Sequence, residues 1–224
     1  TARDGARMTR PTDTERLAAA YHEAGHTVMT WLRGFPIRYM RIGDVERENY
    51  VSAAQTQLDE AATVSTDEEI EDIRQGRMSD ESRAKIEGGC MVFAAGPIAE
   101  LRFRGQPLPA FSDDLDRMRS VAQMLTTNEM MANLERLVDE GVIDEENAGA
   151  WLEQRTLEHA DRLGELARQL IFDQQVWKAV EAVATALDRD GYLPGRRAER
   201  IMQSAAPEAK TQYRRIVEQA DRRG

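Results

Sequence analysis

Apolar positions recur at helical spacing over most of the chain. Residues 1–11 (TARDGARMTRP) show no apolar period and read as a flexible lead. Thr12 and Glu15 fit a capping box. Leu17, Ala20, Tyr21, Ala24, Val28, Trp31 and Leu32 then line one face of a helix. Gly34 is placed to cap that helix, and Pro36 prevents its continuation. Ile37–Ile42 and Tyr50–Thr56 are rich in strand formers and are the only convincing β segments, so any sheet is small.

The acidic, polar stretch 57–82 predicts a loop with one short solvated helix. A helix over about 81–104 follows, carrying Gly88, Gly89, Ala94, Ala95, Gly96 and Ala99, small residues that let another helix approach closely. Pro97 inside it should kink the helix or start a new one. Gly105–Pro109 is a loop, and Ser112 can cap a helix through Leu115, Met118, Val121, Ala122 and Leu125. Residues from about 128 to 189 are helical, with breaks at Gly141 and near Asp173; Gly191–Gly195 is a turn before a basic helical tail. The expectation is a mainly α fold: one compact helical domain over 12–206, a small β element near residues 37–56, and a tail at 207–224.

The 224 residues include 40 acidic and 30 basic side chains, a net charge of −10 and a pI near 5.0. That balance argues against nucleic acid as a partner, which would require a basic face. A lone cysteine, Cys90, cannot form an internal disulfide, so nothing requires an oxidising compartment. No apolar run approaches the ~18 residues of a membrane helix. The expected location is cytoplasmic, any membrane association running through a segment outside this chain. Thr1 in the initial position points to a chain processed or cut from something longer.

Chemistry enters with His22-Glu23-Ala24-Gly25-His26, an H-E-x-x-H pattern inside an independently helical segment. At i and i+4 the two imidazoles project from one face and can reach one ion. Zinc suits neutral imidazole nitrogens. Glu23 sits beside that face and need not ligate; it can instead accept a proton from a metal-bound water and pass it to a leaving amine. The bland alternative is two surface histidines and a solvated Glu, yet the chain has three histidines and two fall in this pattern. A catalytic zinc needs a third protein ligand. The candidates are His159, in a charged helical stretch, and the carboxylates, foremost Asp113 and Asp114. On composition alone, however, an Asp at a helix start is better explained by the helix dipole.

The stretch AYHEAGHTVMTWL resembles the zinc helix of the FtsH-type ATP-dependent metalloprotease family, which reads close to AYHEAGHAVV. Phe93-Ala-Ala-Gly-Pro-Ile-Ala-Glu-Leu101 resembles that family's Leu-Gly-Gly-Arg-Ala-Ala-Glu-Glu helix. Ser112-Asp113-Asp114-Leu115 resembles its Ser-Asn-Asp-Ile/Leu turn, and Trp177–Leu187 with Gly191–Gly195 its closing helix and turn. The likeness runs through residues 14–203 in order and is specific at the first three motifs. It implies Asp114 as third zinc ligand beside His22 and His26, Glu23 as general base, and a supporting role near the metal for Glu100. It also implies a polypeptide substrate and a hexameric assembly. The family's Thr-Gly-Ala before the ligand turn is Pro109-Ala110-Phe111 here, and Pro97 replaces an Arg. No G-x-x-x-x-G-K-[ST] phosphate loop occurs, so the family's ATPase module is missing from this chain.

The expected activity is therefore zinc-dependent endopeptidase cleavage of unfolded or extended chains, with substrate laid along Ile37–Ile42 as an edge strand. The rival is a non-catalytic helical assembly domain that keeps the metal as a structural pin; a third reading is another metal hydrolase on the same motif. Trp31, Trp151, Trp177, the methionines and Cys90 read as packing residues, and Asp67–Asp72 as a solvated face.

Overall fold

The computed structural model describes residues 13–47, 50–58, 78–105 and 113–222. The lead, the Thr12 and Ser112 caps, the Asp67–Asp72 run and Pro109–Phe111 lie outside them. Helix α1 spans Asp13–Arg33, with Asp13 and Glu15 in its first turn and Arg33 in its last, charges that suit the helix dipole. Its C-terminal half is buried on nearly every side, from Glu23 to Leu32. Gly34, at φ 79°, ends it, and the Phe35 amide donates back to Thr30 O at 3.0 Å.

Strands β1 (Ile37–Arg47) and β2 (Tyr50–Leu58) form an antiparallel pair. Helix α2 (Asp80–Arg104) is capped by Ser79, whose Oγ accepts from the Ser82 amide, and is closed by Gly105 at φ 65°. It runs across Pro97 as one element, so no new helix starts there. Pro97 is fully packed, and burial against neighbours outweighs the ~3 kcal/mol cost of an interior proline. The small residues serve as anticipated: a Cβ on Gly25 of α1 would lie 2.4 Å from Ala95 O of α2.

Helices α3 (Asp113–Asp139) and α4 (Ala148–Phe172) form an antiparallel hairpin whose turn uses Gly141 at φ 70° and a 3-10 turn at Glu145–Asn147. Asp173 then caps α5 (Gln174–Asp190), its Oδ1 accepting from the Gln175 and Val176 amides. Helix α6 (Gly195–Ala205) and helix α7 (Ala209–Asp221) complete the chain. The core joins α1, α2, α4 and α5 through Met29, Met91, Leu163, Leu170, Ile171 and Leu187, all essentially inaccessible. Trp31 is buried, Trp151 and Trp177 half-buried, and Cys90 fully packed. Among the described residues, five methionines (Met29, Met40, Met91, Met118, Met202) are core.

The expected mainly α fold with a small sheet near 37–56 is what is observed, with two corrections. Tyr192–Pro194, expected as a turn, forms a third strand, β3, paired antiparallel with β1 through Tyr39–Pro194, Met40–Leu193 and Arg41–Tyr192. The sheet order is β2-β1-β3, so Ile37–Ile42 is central rather than an edge. A peptide cannot add to it, because its backbone groups are already bonded on both sides. No described helix is long and apolar enough to cross a membrane.

Candidate metal centre

Three elements deliver the site. His22 and His26 stand one turn apart on α1, and their rings meet edge to face with centroids 4.8 Å apart. Asp114 comes from the first turn of α3, 92 residues beyond His22. Helix α2 lies against α1 and supplies the groups behind both rings.

His26 Nδ1 lies 2.7 Å from Val92 O of α2. A carbonyl can only accept, so Nδ1 carries the proton and the neutral ring presents a lone pair at Nε2. His22 Nδ1 lies 3.1 Å from Glu100 Oε2, which fixes the same tautomer against an ionised carboxylate. The two Nε2 atoms therefore face each other, 3.1 Å apart. Asp114 Oδ2 completes a triangle, 3.0 Å from His22 Nε2 and 3.4 Å from His26 Nε2.

Three acceptors converge where two neutral imidazoles leave no donor, an arrangement stable only around a cation. His22, His26 and Asp114 could hold a metal ion. When the cation is a proton, burial opposes charge on His22, but hydrogen bonds to Asp114 and Glu100 outweigh it. With the nearby charges of Glu23 and Asp114, they push its pKa up to about 10. Burial likewise works against an ionised Asp114; its contacts with His22 and His26 outweigh it and hold the carboxyl far below the usual carboxylate range. Glu100 is lowered in the same way, burial being outweighed by His22 and Arg104.

Compared with protein-family models and with curated proteins, the chain matches none.

The structure brings together His22, His26 and Asp114 and sets Glu100 behind His22. Glu23 is buried beside them on α1, near enough for its charge to act on His22. His159 stands apart, half-buried, with Nε2 3.5 Å from Glu87 Oε1, and takes no part. Three supports left little trace in the sequence. Val92 acts through its backbone, which any residue offers. Gly96 is visible only as one of a run of small residues, yet a Cβ there would lie 2.3 Å from His26 Nε2. Arg104 looks like an ordinary helix ion pair, though its Nε donates to Glu100 Oε1 at 2.7 Å.

Proposed function

We propose that the chain is a zinc-dependent metalloendopeptidase of FtsH type, hydrolysing peptide bonds in unfolded or extended polypeptides. The observation that carries the reading is the triangle of acceptors. Its edges of 3.0, 3.1 and 3.4 Å are close to the ~3.3 Å edge of a tetrahedron built on metal–ligand bonds of ~2.0–2.1 Å. Two imidazoles and a carboxylate form a donor set suited to zinc, and three protein ligands are the number that catalytic rather than structural zinc sites use. His22 and Asp114 also keep 21% side-chain exposure each, so the cluster opens toward solvent.

Zinc bound there supplies Lewis acidity, polarising a scissile carbonyl and bringing the pKa of water toward ~7. The residues do the rest. His22, His26 and Asp114 hold the ion, with His22 turned by Glu100 and His26 by Val92 O. Glu23 accepts the proton of the attacking water and delivers it to the leaving amine, a role typically worth 10²–10⁴-fold in rate. Resemblance to the family supports the same assignment for Glu23 and Asp114. It also brings to the proposal a hexameric assembly and an ATPase module carried elsewhere.

Glu23→Gln tests the reading. The variant should bind zinc as tightly as the parent and lose casein hydrolysis by at least 10²-fold. Full activity in the variant removes Glu23 from the mechanism. A parent that binds zinc and cuts no peptide overturns the peptidase reading and leaves a structural pin in an assembly domain or another metal hydrolase.

A further inference from the structure

The two imidazoles are oriented by unlike partners. His26 leans on Val92 O, a neutral dipole fixed in the backbone of α2, 2.7 Å from Nδ1. His22 leans on Glu100, a side chain with three rotatable bonds, at 3.1 Å. A flexible carboxylate orients an imidazole only when it is itself held. The cation that pairs with Glu100 is Arg104, one turn further along α2, whose Nε donates to Glu100 Oε1 at 2.7 Å. The chain Arg104 Nε, Glu100 Oε1 and Oε2, His22 Nδ1 and Nε2 thus runs from the end of α2 to the ligand cluster.

We infer that Arg104 is a positioning residue for the metal ion, acting through Glu100 on His22. The inference rests on the metal reading above and extends it by one residue. An exposed i,i+4 ion pair on a helix contributes little by itself. This pair differs because Glu100 is 17% exposed and its second oxygen is committed to a ligand.

Arg104 acts in two ways. It pins one carboxylate oxygen, so the other stays aimed at Nδ1 rather than swinging to water. It also draws the negative charge of Glu100 toward the side away from the ring. The proton then remains on His22 Nδ1, and Nε2 keeps its lone pair toward Asp114 and His26. Placement in the last turn of α2, just before the Gly105 cap, suits a cation for a separate reason: the helix dipole is negative there.

Residues that orient a ligating histidine typically change metal affinity 10–100-fold when removed. Arg104 stands one bond further out, so Arg104→Met should weaken zinc binding about tenfold. The measurement is the zinc dissociation constant of the full chain by competition with a chromophoric chelator, for the parent, Arg104→Met, Arg104→Lys, Glu100→Ala and the Glu100→Ala/Arg104→Met double variant. Thermal melts of the chelated chains check folding, and the visible spectrum of the cobalt-substituted chains reports ligand geometry directly.

The expected pattern is a tenfold loss in Arg104→Met with an unchanged melt of the chelated chain and an altered cobalt spectrum. Arg104→Lys recovers part of that loss, and Arg104→Met adds nothing once Glu100 is Ala. A parent that binds neither zinc nor cobalt overturns the metal reading itself. A parent that binds while Arg104→Met stays within twofold overturns only the role of Arg104. Equal losses with and without Glu100 also overturn it, because Arg104 would then act by another route.

Discussion

Gly96→Ala adds one methyl group to a helix and should cost the proposed site its hold on a metal ion. Elsewhere in a helix, replacing Gly by Ala stabilises by about 0.5–1 kcal/mol. At Gly96 the added Cβ would lie 2.3 Å from His26 Nε2, 2.4 Å from Cε1 and 2.8 Å from Cδ2. Ordinary contact begins near 3.4 Å, so the ring must withdraw by about 1 Å. Helix α2 cannot yield instead, because Gly25 of α1 already packs against Ala95 O. Metal–ligand distances tolerate only about ±0.2 Å, so the shift removes His26 from the ligand set.

Zinc sites of four ligands bind with roughly 10–16 kcal/mol, about 3 kcal/mol per ligand. Losing one corresponds to a hundredfold or more in affinity. Overpacking costs a further ~1–3 kcal/mol of stability. Gly89→Ala is the control: nothing lies within 4 Å of a Cβ at Gly89 in the same helix, so that variant should gain stability and keep its zinc. Chelator competition and thermal melts on both variants test this. Zinc affinity of Gly96→Ala within threefold of the parent would refute the reasoning.

Three further expectations concern His22, Cys90 and the tie between α1 and α7. The raised pKa of His22, about 10 against an ordinary 6.5, makes its protonated form a stabilising feature of the zinc-free chain below pH 6.5, lost as pH rises toward 10. Zinc competes with that proton, so the gap in melting temperature between zinc-loaded and chelated chains should widen from pH 6.5 to 9; a gap that narrows contradicts the assignment. Burial pushes the Cys90 thiol up to about 12. Thiol reagents at pH 8 should therefore label it only in denaturant, and rapid labelling of the native chain would show that α2 opens. Arg33 Nη1 donates to Tyr213 Oη at 2.7 Å, tying α7 to α1, the helix of His22 and His26. Tyr213→Phe should cost about 1.5–3 kcal/mol in urea unfolding, and no change would mean that this hydrogen bond does not help to hold α7.

What the sequence disclosed follows from the range of the interactions. His22, Glu23 and His26 lie within five residues of an amphipathic helix, so periodicity and spacing are enough to pair them. Asp114 is different: in its own helix it reads as a first-turn acid favoured by the dipole, and only resemblance to other proteins distinguished it from Asp113. Its approach to His22 depends on how α3 packs on α2, a tertiary fact. The strand Tyr192–Pro194 was hidden because Gly191 and Pro194 are turn signals and three residues hold no alternation. Once β3 is known, Pro194 at the sheet margin is ordinary. The central place of β1 was equally invisible, since pairing partners outside a segment leave no mark in its pattern. Pro97 shows the reverse case, a strong local signal overridden by burial in the fold.

Central to the proposed chemistry is a cation shared by His22, His26 and Asp114. Anomalous diffraction at the zinc edge, on crystals of the zinc-loaded chain, tests it most directly. A single strong peak about 2.0–2.2 Å from His22 Nε2, His26 Nε2 and an oxygen of Asp114 is the predicted result. A zinc-loaded chain whose peak lies elsewhere, or whose Asp114 carboxylate stands beyond bonding distance of it, would contradict the claim.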